Sequence, residues 1–92
     1  MKKYITVYVL QFVCYPYGSR EYFAIVKNHE EAEKLRAELT DASKDHYWHI
    51  LNTKKLSYES ALRYAYETDY LIKDSTLESV SGKEIKALFK GE

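Results

Sequence analysis

The stretch KYITVYVLQFVCY, residues 3–15, decides the fold that this sequence predicts. Its side chains alternate between two apolar sets, as on a β-strand, where successive residues point to opposite faces. One set is Ile5, Val7, Val9 and Val13, and the other is Tyr4, Tyr8, Leu10 and Phe12. A strand that is apolar on both faces is usually central in its sheet, so this stretch is predicted to be a central strand.

The residues that follow this strand predict a hairpin. Residues 16–19, Pro-Tyr-Gly-Ser, are typical of a turn, because proline fixes φ and glycine is free to adopt a positive φ. Residues 21–27 are rich in aromatic and β-branched side chains and are expected to return as the second strand. The loop between the two strands would then have about four or five residues.

A helix and a third strand are predicted after the hairpin. Asn28 has the side chain of a helix N-cap, and Glu31 stands at the capping-box position. Apolar residues recur at helical spacing over about 12 residues, which predicts one helix lying on the sheet. These residues are Ala32, Leu35, Leu39 and Ala42. Residues 46–56 are predicted to be the third strand, parallel to the second and on the other side of the first.

A second helix is predicted after Ser57, which is a suitable N-cap. Its apolar side is expected to comprise Tyr58, Ala61, Leu62, Ala65 and Ile72. Asp69 falls within that side, where an unpaired buried carboxylate would be costly. We therefore expect the helix to end or bend near Thr68, with residues 70–72 as an extended piece that adds to a sheet edge. A partner for Asp69 is the alternative.

Residues 81–89 predict a short final helix, with Ser81 and Glu84 as a capping box. The complete pattern is that of an α+β fold with a β-β-α-β three-stranded sheet in the order 2-1-3, strand 1 central. One helix lies on a face, followed by a C-terminal helix and the short capped final helix. The chain is too short for two domains that would each need a core, so residues 1–92 are expected to form a single domain.

Composition excludes several classes of function. Fourteen basic and fourteen acidic residues cancel, which argues against bulk electrostatic binding to nucleic acid or to an anionic membrane. No run reaches the ~18 apolar residues of a membrane-spanning helix. The residues before Cys14, the only cysteine, are bulky rather than the small ones of a signal-peptide cleavage site. A lone cysteine is typical of a reducing compartment, so a cytoplasmic location is expected.

No complete set of catalytic or metal-binding residues is present, so an enzyme, a metal and a cofactor are not expected. His46 and His49 would point to opposite faces of a strand and could not grip one metal ion. An enzyme or small-ligand pocket built from Cys14, His49 and Asp69 remains the alternative, because distant residues can converge in space.

Ten tyrosines favour a recognition surface, since a tyrosine ring packs while its hydroxyl stays in water. The partner-binding residues are predicted to lie on the flank of the second helix and at the hairpin tip. They are Tyr64, Tyr66, Tyr70, Tyr15 and Tyr17. The alternative is single-stranded nucleic-acid binding, with bases stacking on Tyr4, Tyr8 and Phe12 of the central strand.

The sequence therefore predicts a small non-enzymatic module that binds another protein. Its small size, lone cysteine and lack of a motif resemble accessory proteins of phages and mobile elements. That resemblance implies binding to, and inhibition of, a host protein complex. The partner's identity is open, a homodimer is an open alternative, and neither a membrane nor a nucleic acid is the expected partner.

Overall fold

The structure, a computed structural model, describes residues 2–14, 18–43, 46–68 and 70–90. Its elements are β1 (Tyr4–Cys14), β2 (Gly18–Ala24), α1 (His29–Ser43), β3 (Tyr47–Ser57), α2 (Tyr58–Tyr66), β4 (Leu71–Ile72) and α3 (Gly82–Lys90). The predicted α+β class is confirmed. Within the described ranges, no helix combines the length and the apolar character needed to cross a membrane.

The sheet has four strands in the order β3-β1-β2-β4, so the prediction of a three-stranded sheet is wrong. The first three strands do lie in the predicted order, with β1 central and antiparallel to both β2 and β3. The fourth strand arises because α2 ends at Tyr66, which leaves Leu71 and Ile72 extended and paired in parallel with β2. The expected break of the helix, and the addition of residues 70–72 to an edge, are thereby confirmed, whereas Asp69 lies outside the described residues.

The hairpin is tighter than predicted. Cys14 pairs with Gly18, so β2 starts before Glu21 and ends at Ala24. Gly18 has a φ of 114°, a conformation open to glycine because it has no Cβ. Tyr15, Pro16 and Tyr17 lie outside the described residues.

α1 begins as its cap predicts and extends farther than about 12 residues, reaching Ser43. The Asn28 side-chain oxygen accepts a hydrogen bond from the Glu31 amide at 2.9 Å, and the Glu31 carboxylate accepts one from the Lys27 amide at 3.3 Å. Ala42 is exposed, contrary to its predicted place on the buried side; the buried residues of α1 are Ala32, Leu35 and Leu39.

The two faces of the sheet carry two separate cores. Buried residues on the α1 face are Leu10, Tyr22, Ala24, Leu35, Leu39, Trp48 and Ile72. Those on the opposite face are Ile5, Val7, Val9, Phe23, Leu56, Ala61, Ala65, Leu71, Val80, Ile85 and Phe89. Since α2 and α3 supply the helical members of the second set, they cover the sheet face opposite α1.

Both C-terminal helices begin at the predicted caps. Ser57 Oγ accepts from the Ser60 amide at 3.2 Å, and Ser81 Oγ accepts from the Glu84 amide at 3.2 Å. Ile72, expected on the buried side of α2, belongs instead to β4. A hydrogen bond from Lys73 lowers the pKa of the Glu84 carboxyl and raises the pKa of the Lys73 amine.

Candidate protein-binding site

Tyr64 and Tyr70, two of the predicted partner-binding residues, lie side by side at the edge of the sheet. Tyr64 is in the last turn of α2, and Tyr70 immediately precedes β4. The Tyr70 amide donates a hydrogen bond to the Tyr64 carbonyl at 3.0 Å, while the Tyr70 carbonyl accepts one from the Phe23 amide at 2.8 Å. The end of α2 is therefore tied to β2 through Tyr70, which fixes the spacing of the two tyrosines.

The rings of these tyrosines rest on aromatic residues of β2. Tyr64 packs on Phe23 with 4.4 Å between ring centroids, and Tyr70 packs on Tyr22 at 5.4 Å. Successive residues of a strand point to opposite faces, so Phe23 and Tyr22 support one tyrosine on each side of the sheet edge. Both tyrosines are half-buried, which leaves part of each side chain available to a partner.

Two cations lie over these rings. The Arg20 guanidinium is 5.2 Å from the centroid of the Tyr70 ring. The Lys54 amine is 5.4 Å from the Phe23 centroid and 5.8 Å from the Tyr64 centroid. Such distances are within the range of a cation–π contact. The side-chain hydrogen bond with Tyr22, and then the nearby Tyr70 hydroxyl, raise the pKa of Arg20, which is therefore always charged.

Neither cation forms a salt bridge with an acidic side chain in the parts of the chain that the structure describes. Arg20 and Lys54 are both exposed. A guanidinium carries five N–H donors in a planar fork that matches the geometry of a carboxylate, so the hydrogen bond with Tyr22 leaves Arg20 donors for a partner. The sheet edge at Tyr64 and Tyr70 therefore combines aromatic area with one positive charge on each face, Arg20 on the Tyr22 side and Lys54 on the Phe23 side.

The residues around Tyr64 and Tyr70 enclose a shallow depression of about 630 Å³. We call it the tyrosine groove, and its lining residues are Ser19, Arg20, Glu21, Phe23, Tyr64 and Tyr70. Glu21 places one negative charge on the rim, opposite in sign to Arg20. The groove is open and shallow, a shape that suits a side chain or short segment of another protein better than an enclosed small molecule.

Tyr66, another predicted partner-binding residue, does not line this groove. Tyr66 is 68% exposed, and its hydroxyl lies against Gly82 at the start of α3, where an added Cβ would overlap it. Tyr15 and Tyr17 lie outside the described residues. Of the three predicted tyrosines that the structure describes, Tyr64 and Tyr70 are thus the pair that lies together.

The alternative stacking residues share one face of β1, as the alternation predicted, but differ in exposure. Tyr4 is 54% exposed. Tyr8 is half-buried against His29, with 6.2 Å between ring centroids. Phe12 is half-buried between His46, at 5.2 Å, and Trp48, at 4.8 Å. A base has room to stack on Tyr4, whereas neighbouring rings already occupy much of Tyr8 and Phe12.

The residues of the alternative enzyme site are distributed differently. Cys14 Sγ lies 3.8 Å from Nε2 of His46, and His49 stacks on Tyr47 on the opposite face of the sheet. Asp69 lies outside the described residues. Across the described ranges, no group of three or more His, Cys, Asp or Glu side chains is arranged to hold a metal ion.

Sequence reasoning missed Arg20, Phe23 and Lys54 as members of a site. Alternation along β2 could have shown that Arg20 and Tyr22 share a face. No local signal joins Lys54 of β3 to Phe23, because these strands lie on opposite sides of β1 and the contact exists only once the sheet is assembled.

Comparisons with known proteins do not identify a family for this chain. No protein-family profile matches the chain, and neither a curated protein nor a solved structure is significantly similar to it.

Proposed function

We propose that this protein is a non-enzymatic module that binds another protein through the tyrosine groove and the adjoining Lys54, which lies over the Phe23 and Tyr64 rings without lining the groove. The observation that carries the proposal is the pair of exposed cations, Arg20 and Lys54, lying over the half-buried rings of Tyr70 and Tyr64 without a salt-bridge partner among the described residues. Free cations beside aromatic area favour a partner that presents an acidic residue next to an apolar one.

The residue types of the groove support a protein partner. Tyrosine and arginine are enriched among the residues that dominate binding energy at protein interfaces. Tyr64 and Tyr70 are already positioned by packing on β2, so little side-chain entropy would be lost on binding. The groove therefore offers a rigid aromatic floor with charges at its rim.

The proposal is tested by reversing one charge at a time. Lys54→Glu places a negative charge over the Phe23 and Tyr64 rings, and Arg20→Glu does the same beside Tyr70. Lys55→Glu is the matched control, because Lys55 is also exposed but points to the other face of the same strand. Wild-type and variant proteins would be immobilised, and bound proteins from a cell extract compared by quantitative mass spectrometry.

We expect a set of proteins to be retained by wild type and Lys55→Glu but lost with Lys54→Glu and Arg20→Glu. For an isolated member of that set, each reversal should weaken binding at least about tenfold, as expected at a close charge pair. If the two reversed variants capture the same proteins at the same levels as wild type, the groove is not the binding site. Circular dichroism melts would check that all variants remain folded.

Single-stranded nucleic-acid binding is supported less well, because Tyr8 and Phe12 already pack on other rings. It stays a prediction that fluorescence anisotropy of a labelled oligonucleotide at low salt can check. A rise that disappears in Tyr4→Ala would favour it over the protein-binding proposal. Unchanged anisotropy at high protein concentration would dismiss it.

Three finer expectations belong to the same proposal. The module would act in the cytoplasm, and it would inhibit a host protein complex by covering a surface on it, as the resemblance to phage accessory proteins implies. A homodimer is the third expectation, and it requires a surface other than the tyrosine groove.

A further inference from the structure

The strand β2 has an unpaired stretch beside the tyrosine groove. β4 pairs with only the last two residues of β2, and among the described residues no strand pairs with the same side of β2 over residues 18–22. Ser19, Arg20 and Glu21 of this stretch line the groove. The groove therefore lies against a length of sheet edge at which another strand can pair.

The backbone groups of Ser19 and Glu21 point away from β1 at this edge. In an antiparallel pair, residues alternate between those that exchange hydrogen bonds with the neighbouring strand and those that do not. The Phe23 amide donates to the Tyr70 carbonyl at 2.8 Å, so it points away from β1. Glu21 and Ser19 stand two and four residues earlier on the same strand and therefore point the same way. Their N–H and C=O groups have the orientation that an incoming strand requires.

The side chains along this stretch differ in charge between the two faces of the sheet. Arg20 lies on the α1 face, 5.2 Å from the centroid of the Tyr70 ring, whereas Glu21 lies on the other face, as Tyr64 does. An extended segment paired with this stretch would place its own side chains alternately on the two faces. An acidic side chain would then meet Arg20 on one face, and an apolar side chain would meet the Tyr64 ring on the other.

Charge decides which kind of strand fits this edge. Arg20 has no salt-bridge partner in the described ranges, so an acidic side chain beside it is complementary. Two copies of this chain paired through the same edge, about Arg20 or about Glu21, would place like charges opposite each other, which is destabilising. An acidic segment of another protein therefore fits the edge better than a second copy does.

We propose that the partner of the tyrosine groove binds as an extended strand paired with residues 19–21 of β2, with an acidic side chain beside Arg20 and an apolar side chain on Tyr64. This inference rests on the proposed function, because it concerns the same surface, and it adds how the partner's backbone is held. The segment lies in line with β4 and extends the fourth strand of the sheet toward the hairpin. Its side chains alternate in the same way whether it runs parallel or antiparallel to β2.

Two synthetic peptides test the proposal. The first is Thr-Val-Glu-Val-Thr with blocked ends, and its control has lysine in place of glutamate. Each is titrated into the isotope-labelled whole chain to about 5 mM, because so short a segment is expected to bind with a Kd of about 1 mM. NMR then measures the shift of each backbone amide and the rate at which its proton exchanges with water.

The exchange rates report backbone pairing directly. We expect the glutamate peptide to slow exchange of the Ser19 and Glu21 amides at least about threefold, since each amide gains a hydrogen bond when the strand is bound. The Arg20 and Tyr22 amides point toward β1 and are the internal references, whose exchange should not change. The lysine peptide should bind at least about threefold more weakly, because it places a like charge beside Arg20.

A proline substitution tests the same hydrogen bonds from the protein side. Glu21→Pro removes an N–H that points outward, and proline is tolerated at such a position of an edge strand. Glu21→Thr is the matched control, because it loses the same carboxylate and keeps the N–H. We expect Glu21→Pro to bind the glutamate peptide at least about threefold more weakly than Glu21→Thr. The exchange measurement on wild type does not depend on how either variant folds.

Three results would overturn the proposal. The first is no amide shift with about 5 mM glutamate peptide, which is several times the expected Kd. The second is binding that leaves the exchange of the Ser19 and Glu21 amides unchanged. The third is slow exchange of these two amides in concentrated protein without peptide, which would assign the edge to a second copy.

The outcomes also separate this inference from the proposed function. If Arg20→Glu and Lys54→Glu lose their partner from the cell extract but the peptide does not slow the two amides, the partner binds through side chains alone. The proposed function then stands and the strand is wrong. If the peptide slows both amides while the reversed variants still capture every protein that wild type captures, the edge accepts a strand and the proposed function alone fails.

Discussion

The two edges of the sheet differ in whether a neighbouring segment of the chain pairs with them. At one edge β4 is only two residues long, and the following segment folds back over it. The Val80 amide donates to the Leu71 carbonyl at 2.9 Å, and Ile72 forms a bridge with Ser79. At the other edge β3 runs for 11 residues beside a groove. Among the described residues, the chain closes the β4 edge itself and leaves the β3 edge without a pairing strand.

This difference indicates which edge contributes to the stability of the fold and which edge is available for contacts with other molecules. Leu71, Ile72 and Val80 at the closed edge are all buried, so this edge belongs to both cores. Tyr47, His49 and Leu51 at the open edge are exposed and contribute little to either core. Closed-edge side chains should therefore matter for folding, and open-edge side chains for association.

The largest expected effect tests whether the two edges differ in their contribution to the free energy of unfolding. Ile72→Ala at the closed edge should lower the free energy of unfolding by about 2–5 kcal/mol, because a fully buried side chain is lost and a cavity remains. Leu51→Ala at the open edge should change it by less than about 0.5 kcal/mol. Urea denaturation of dilute protein measures both. Equal losses would mean that the edges do not differ in their contribution to stability.

A smaller effect is expected where β3 is anchored to α1. Trp48 is buried, and its indole N–H donates to Ser43 Oγ at 3.0 Å, while the Ser43 hydroxyl donates to the Leu39 carbonyl at 2.7 Å. Ser43→Ala leaves the indole N–H without its partner and should cost about 1–3 kcal/mol. The same change made in a Trp48→Phe background should cost much less. If the two losses are equal, Ser43 does not act through the indole, and the open edge is held by packing alone.

The smallest expected effect concerns the ion pair between Lys73, which follows β4, and Glu84 of α3. The folded pKa of Glu84 is below its usual 4.5, so its contribution is present above that pH and is lost as the pH falls. The folded pKa of Lys73 is above its usual 10.5, so its contribution is present below that pH and is lost as the pH rises. Both side chains are exposed or nearly so, and the gain should be small.

Glu84→Gln isolates this charge, because glutamine can still accept the hydrogen bond from the Ser81 amide that completes the capping box. Stability of wild type relative to Glu84→Gln should be highest from about pH 5 to 10 and should decline on either side. Denaturation at several pH values measures it. A difference that does not vary with pH would show that the ion pair adds nothing to the closed edge.

Local patterns predicted a large part of the fold. The alternation in residues 3–15 predicted that β1 is central, and Asn28, Ser57 and Ser81 marked the starts of the three helices. These features depend only on residues that are close in sequence, since a helix cap or an alternating strand is defined within a few residues. The break after α2 was also foreseeable, because Asp69 could not continue an apolar side without a partner.

The candidate site was predictable only in part. Tyr64 and Tyr70 were identified as contact residues because tyrosine is over-represented in this chain and common at interfaces. Their joining with Arg20 and Lys54 could not be predicted, since those residues come from strands that are separated in the sheet by β1. Cys14 likewise contacts His46 rather than His49, because the pairing of β1 with β3 decides which histidine lies beside it.

By itself, the sequence determined the α+β class, the central position of β1 and the helix starts, because these follow from hydrophobic periodicity and capping within short windows. Tertiary structure alone decided that β4 completes the sheet, which charges lie over the tyrosine rings, and which edge stays open. Those features depend on contacts between residues far apart in the chain. No local sequence pattern encodes such contacts, because they form only when the strands assemble into the sheet.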